Sequence, residues 1–342
     1  MAEIATLGQI GGVDVLSATL TGPGGLRAVL LTYGARLAQL WVLDRSGALA
    51  DIVLGHETLA DWQTQGGYLG ATCGRYSNRI ADGRFVLDGQ LVQVDQNEGA
   101  QHLHGGVQGF DRKIWDIDSH RDAQVTFVTT SPAGEMGYPG AVQAQVIYRL
   151  QGAGLEIEMT AQTDAPTVVN LVNHAYFNLA GQGSGDVLAQ HLQVEAEFYL
   201  PVDDRLIPTG EVLSVTGTAF DFRTPRPIGA QMPGPGGFDH NLCLTAPLDA
   251  QGLRPCLEVV DPASGRQMRL ATTEPGVQLY TGAHFDGTPG KAGARYPRFA
   301  GFAVETQRFP DSPNRPHFPS ARLDPGQTYR HQMLFDFTPL VE

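Results

Sequence analysis

The run Leu155-Glu156-Ile157-Glu158-Met159-Thr160 alternates apolar and polar residues with a period of two. Successive strand side chains point to opposite faces, so this run predicts a strand with one buried and one wet face. Similar apolar runs bounded by Gly or polar turn residues predict strands at 13–20, 26–32, 36–43 and 51–54. Further strands are expected at 125–130, 141–150, 155–162, 167–174, 193–200, 257–261, 277–281 and 332–337. Two β runs between Arg84 and Val94 flank Asp88-Gly89, a favoured two-residue hairpin turn. A short helical turn is possible at 57–62. No amphipathic helical pattern persists beyond about 12 residues.

These strands follow one another without a linker, a charge block or an obvious repeat. A chain of 342 residues is long enough for two domains. The unbroken succession instead predicts an all-β protein, one large antiparallel β-sandwich domain spanning 1–342. With 42 Gly, 22 Pro and only 17% charged residues, the composition suits short strands and tight turns.

The net charge of -13 argues against nucleic acid or an anionic membrane as partner. It suits a neutral small molecule. Cys73, Cys243 and Cys256 are odd in number and lack metal-ligand spacing, so they read as buried reduced thiols. The N-terminal segment has no signal-peptide pattern, and no apolar run approaches a membrane span. A cytoplasmic location is therefore expected.

Candidate chemistry gathers in five polar segments. The first is Gly301-Phe-Ala-Val-Glu-Thr-Gln-Arg-Phe-Pro310, a strand that proline should end near Phe309. Glu305 lies on its last rigid residues, where a carboxylate is held firmly enough to act as a base. The others are Gly74-Arg-Tyr-Ser-Asn-Arg-Ile80, Gln101-His-Leu-His-Gly-Gly106, Asn170-Leu-Val-Asn-His-Ala-Tyr-Phe-Asn178 and Gly237-Phe-Asp-His-Asn241. Together they offer a guanidinium, imidazoles and two carboxylates, a set suited to acid–base work on a polyhydroxylated ligand. Taken singly, each has an ordinary reading. Glu305 could be a solvated edge-strand residue, Arg75 and Arg79 surface arginines, His174 a core histidine and Asp239 a turn former. Residues two or four apart share a strand face, so Arg75 would point with Arg79 and His102 with His104. Two imidazoles alone do not make a metal site, and no carboxylate or Cys sits at ligand spacing, so no metal is expected.

In order along nearly the whole chain, these segments resemble the aldose 1-epimerase (galactose mutarotase) family. The resemblance rests on Gly74-Arg-Tyr-Ser-Asn-Arg-Ile80, on Leu103-His-Gly-Gly106 followed by Gly109-Phe-Asp111 and Trp115, and on Asn173-His-Ala-Tyr-Phe-Asn-Leu179. It continues through Tyr199-Leu-Pro-Val-Asp203, Ile207-Pro-Thr-Gly210, Phe238-Asp-His-Asn241, Gly276-Val-Gln-Leu-Tyr-Thr-Gly282, Glu305-Thr-Gln307 and Pro310-Asp-Ser-Pro-Asn314. It implies a β-sandwich that interconverts the anomers of free aldoses without a cofactor. By position, it implies Glu305 as general base and His174 as general acid. It also implies that Arg79, His104, Asp239 and Gln278 hold the sugar, with Asn78 nearby. Where the family usually continues Asn-Phe-Leu, this chain has Ala283-His284-Phe285, so the pocket wall should differ.

Anomer exchange opens the hemiacetal ring. On ordinary pKa values, an ionised Glu305 takes the C1 hydroxyl proton and a protonated His174 gives one to the ring oxygen. The partner is a monosaccharide, and the chain would act as a monomer or homodimer. Alternatives are a same-fold epimerase of a hexose 6-phosphate, a glycosidase using Asp239 with Glu305, and a non-catalytic sugar-binding module. A phosphate would call for an Arg or Lys cluster that the sequence does not offer.

Overall fold

The computed structural model describes residues 3–340. Its strands form three large antiparallel sheets and several two-stranded ribbons. The first sheet runs through Glu3–Ile10, Val13–Thr21, Arg27–Leu31, Arg36–Leu43 and Leu49–Asp51 in chain order. A nine-stranded sheet follows the spatial order Asp116–Arg121, Gln124–Ser131, Val142–Gln151, Gly154–Thr163, Tyr329–Asp336, Gln267–Thr272, Arg254–Val260, His191–Val194 and Arg226–Pro227. A six-stranded sheet orders Tyr176–Phe177, Phe302–Gln307, Gly276–Tyr280, Asp239–Leu244, Ala196–Tyr199 and Leu213–Ser214.

Alternation dictates which face each strand buries. Leu155, Ile157 and Met159 are fully buried, and Ile157 pairs with Tyr148 on one side and Met333 on the other. Glu156, expected on the wet face, is also buried. Arg149 and Gln332 donate to its two carboxylate oxygens, at 2.5 and 2.7 Å, which compensates the lost hydration. One hydrophobic cluster draws on all three sheets, with Leu20 and Leu40 from the first, Ile157 and Phe335 from the second, and Val277, Phe302 and Val304 from the third.

The predicted hairpin forms, Arg84–Leu87 against Gln90–Gln93. The helical turn lies slightly later than expected, at Leu59–Thr64, because Thr58 caps it through the Asp61 N–H. The expected strand 167–174 is broken. Thr167–Val168 pairs with Arg322–Leu323, whereas Val172–Asn173 pairs with Thr72–Cys73. Asn170 makes the change of partner possible by donating to the Ser77 carbonyl and accepting from the Arg308 N–H. Among the described residues, four strands longer than two residues lie beyond the expected set: Glu3–Ile10, Asp116–Arg121, Asp239–Leu244 and Gln267–Thr272. Neither of the first two has a buried residue, so the burial signal was weak there. Cys73, Cys243 and Cys256 are unpaired and buried. No helix among the described residues is long and apolar enough to cross a membrane.

Candidate active site

Glu305 lies on Phe302–Gln307, which ends before Phe309 and Pro310 as the prolines dictate. Phe302 and Val304 join the main core, so by alternation Glu305 projects to the opposite face. His174 follows Val172–Asn173 directly and is anchored by its backbone N–H on the Ala71 carbonyl at 2.8 Å. These remote segments bring His174 Nε2 to 3.4 Å from Glu305 Oε1, with the two side chains 5% and 3% exposed. His174 Nδ1 and Glu305 Oε2 have no partner among the described residues. Buried polar atoms are usually satisfied, so this pair is primed for a ligand.

The pair belongs to a cavity of about 200 Å³, lined also by Gly67, Tyr68, Asn78, Arg79, Leu103, His104, Tyr176, Asp239, Tyr280 and His284. That is below the roughly 300–1,000 Å³ of sites for drug-sized ligands, and it suits a monosaccharide. A groove of about 380 Å³ on the nine-stranded sheet, lined by Gln143, Gln145, Thr160 and Gln162, contains no acid–base pair.

Six of the seven sequence-derived site residues line the cavity: Glu305, His174, Arg79, Asn78, His104 and Asp239. Gln278 does not. It sits behind Asp239, donating from Nε2 to Asp239 Oδ1 at 2.6 Å, and its own Oε1 accepts from Gln307 at 3.3 Å. Gln278 is thus one step behind the lining, in contact with Asp239. The two shared-face expectations also fail. Arg75 turns inward to the carbonyls of Ser131, Pro132, Pro139 and Gly140, while Arg79 faces the cavity. His102 is tied to the Asp95 carbonyl and the Tyr138 hydroxyl. His104 separates from it because its φ is +51°, so the chain is not extended there. Gly105 makes that bend possible: at φ +93°, an added Cβ would lie 1.8 Å from the Gly74 carbonyl oxygen.

Three groups escaped the sequence reading. Glu98 accepts two hydrogen bonds from Arg79, at 2.6 and 2.7 Å, and so fixes the guanidinium plane. Nothing in a loop 19 residues away marked it. Tyr68 packs against His104 and His174 with ring centroids at 4.6 and 5.8 Å. Tyr176 packs on His174 at 5.0 Å. Tyr176 stood inside a quoted motif; Tyr68 had no signal beyond its neighbouring glycines.

Electrostatics depart from the ordinary values assumed above. Burial pushes the Glu305 carboxyl well above the usual carboxylate range, and Asp239 adds to the rise while Arg79 opposes it. Burial lowers His174 to about 3. Burial also holds His104 well below its usual value, with His174 and Arg79 contributing. The pair therefore favours a protonated Glu305 and a neutral His174, the reverse of the expected resting assignment.

Ligand atoms of His104, His174 and Glu305 all lie within 4.8 Å of one another, a grouping that spacing along the chain did not reveal. A backbone donor argues against metal ligation. His104 Nδ1 accepts from the Asn78 N–H at 3.2 Å, which leaves the ring proton on Nε2. A metal at Nε2 would need that proton moved to Nδ1, against the Asn78 N–H. His104 is thereby made a hydrogen-bond donor toward the cavity.

Comparison with known proteins agrees with this geometry. The family model described as Aldose 1-epimerase matches residues 17–336. Galactose mutarotase of Bos taurus is 45% identical over 316 residues, covering 92% of this chain and 91% of the relative. Aldose 1-epimerase of Escherichia coli (strain K12) is 36% identical over 328 residues, covering 93% and 94%. Among solved structures, an aldose epimerase homologue from C. elegans superposes with a TM-score of 0.88 at 31% identity, covering 95% of this chain and all of that one. Galactose 1-epimerase from Lactobacillus acidophilus superposes with 0.85 at 26% identity, covering 99% of each chain.

Proposed function

The chain belongs to the aldose 1-epimerase family and interconverts the anomers of free aldoses, and from that premise we propose that Glu305 and His174 carry out the proton transfers. The observation that supports this most is their 3.4 Å approach inside a monosaccharide-sized cavity. Ring opening needs a proton removed from the C1 hydroxyl and another delivered to the ring oxygen. Glu305 acts on the hydroxyl and His174 on the ring oxygen. The open aldehyde turns about C1–C2 and closes on its other face as both transfers reverse.

The pair holds one proton throughout. In the ring-opening direction it starts as carboxylate with imidazolium and ends as carboxylic acid with neutral imidazole. The second arrangement is the one that burial favours. The site is thus biased toward the protonation state of the open-chain stage. Sugar hydroxyls donating to Glu305, with Arg79 nearby, stabilise the carboxylate needed at the start.

The other groups hold the sugar while its C1 end turns. His104 donates from Nε2, Asp239 accepts from hydroxyls, and Arg79 donates. Asn78 keeps the His104 tautomer through its N–H, and Gln278 orients Asp239. The preferred substrate is a neutral hexose of the galactose type. Arg79, the one Arg or Lys among the described lining residues, already has its charge matched by Glu98, so a phosphate dianion is a poor fit. Three buried unpaired thiols suit a reducing compartment such as the cytoplasm.

Glu305→Gln tests the assignment. It keeps the shape and removes the base, so kcat should fall about 10²–10⁴-fold while sugar binding is retained. Polarimetry of freshly dissolved α-galactose, corrected for the spontaneous rate, reads the first. Calorimetric titration with galactose reads the second. Unchanged kcat in this variant would remove Glu305 from the chemistry.

A further inference from the structure

The mouth of the same cavity holds a donor that the acid–base pair leaves unused. His284 lines it, and Tyr280 holds that residue at two points, its backbone and its ring. The Tyr280 hydroxyl accepts from the His284 backbone N–H at 3.3 Å and meets Nδ1 at 2.7 Å. Nδ1 is the only acceptor within reach of the hydroxyl proton among the described residues, and that arrangement puts the ring hydrogen on Nε2. The ring is stacked on Tyr280, with 11° between planes, and packs on Phe285 at 4.1 Å. Its direction is therefore set before any ligand arrives. Nε2 overhangs Gly67: a Cβ built there would stand 2.5 Å from it, and Gly67 has φ +90°, which favours glycine on its own account. Among the described residues, Nε2 has no hydrogen-bond partner.

Ring geometry says what this donor meets. The reacting pair is almost wholly buried, whereas His284 is exposed. The bond between C1 and the ring oxygen must face the buried pair. In a six-membered ring, C4 is opposite C1 and C3 is opposite the oxygen, so the C3–C4 edge faces the mouth. We propose that His284 is a specificity-determining residue whose Nε2–H donates to the sugar's 4-hydroxyl. The proposal rests on Glu305 and His174 being the reacting pair, since their place orients the ring. It goes beyond that reading by assigning a sugar position to a residue outside the acid–base machinery.

The test compares galactose with its 4-deoxy and 3-deoxy analogues in the unmodified enzyme, His284→Ala and His284→Gln. A single neutral hydrogen bond predicts that His284→Ala raises KM for galactose about five- to tenfold with kcat little changed. The same substitution should leave the 4-deoxy sugar unaffected, because the contact is already missing. His284→Gln, which keeps an N–H donor, should recover part of the loss. Equal loss on galactose and the 4-deoxy sugar, no loss on either, or loss abolished only for the 3-deoxy sugar overturns the proposal. Should His284→Ala be too slow for polarimetry, calorimetric titration with the same sugars reads the same comparison. These results are separable from failure of the Glu305 assignment, which shows instead as activity surviving Glu305→Gln on every sugar.

Discussion

Glu305 and His174 titrate as a unit, and burial drives their pKa values apart in opposite directions. The pair gains a second proton only as pH falls toward about 3, where His174 is charged beside protonated Glu305. It loses its one proton only when pH rises through the elevated Glu305 value. Between those limits the proton count is constant, so kcat/KM should show no acid limb near about 6.5, where an ordinary histidine titrates. Initial rates from a series of weakly catalysing buffers would check this, and an acid limb centred near that value would contradict it. Such behaviour was not legible in the sequence. Glu305, His174, Arg79 and His104 could be picked out by residue type and motif, but their protonation states come from desolvation by chain segments far away. Glu98 was invisible for a related reason: its role exists only through a bidentate contact with Arg79.

At the level of strands, register decides what supports the site. Gln278 is paired with Glu305 and Asn241 is paired with Gln278. Gln307 donates to both Asn241 and Gln278, and Gln278 passes the polarity on to Asp239. Because Gln278 accepts from Gln307, its amide cannot turn over without losing that bond, so its NH2 end stays on Asp239. Gln278→Leu should leave Asp239 less well held and raise KM for the sugar by about five- to tenfold, with a much smaller change in kcat. Steady-state polarimetry separates the two constants; a fall in kcat alone would instead place Gln278 in the reacting machinery. Alternation made strands such as Gly154–Thr163 readable. It failed at Asp116–Arg121, whose only apolar residue is Ile117, and at 167–174, where Asn170 lets the chain change partners. The family resemblance gave Gln278 a place at the sugar, whereas its hydrogen bond to Asp239 shows only once adjacent strands are paired.

For the molecule as a whole, three sheets share a single hydrophobic cluster, and the site is assembled from segments as distant in sequence as Tyr68 and Glu305. Leu40 comes from the first sheet, Ile157 and Phe335 from the nine-stranded one and Val277 and Phe302 from the six-stranded one, yet all belong to that one cluster. Lys291, buried at 6% exposure, adds a polar tie by donating to Asp51 and to the carbonyls of Ala38 and Val53. Its segment precedes the six-stranded sheet's strand Phe302–Gln307, whereas Asp51 ends the first sheet. Losing one sheet would expose apolar surface on the others and leave that ammonium without its partners. The chain length permitted two domains, but a core shared in this way favours one cooperative unit. Scanning calorimetry should therefore give one transition with equal calorimetric and van't Hoff enthalpies, and catalytic activity should disappear within it. Two resolved transitions would mean that one sheet holds its structure after another has melted. The shared core would then be too weak to couple them, and a site built across them would be lost at the lower transition.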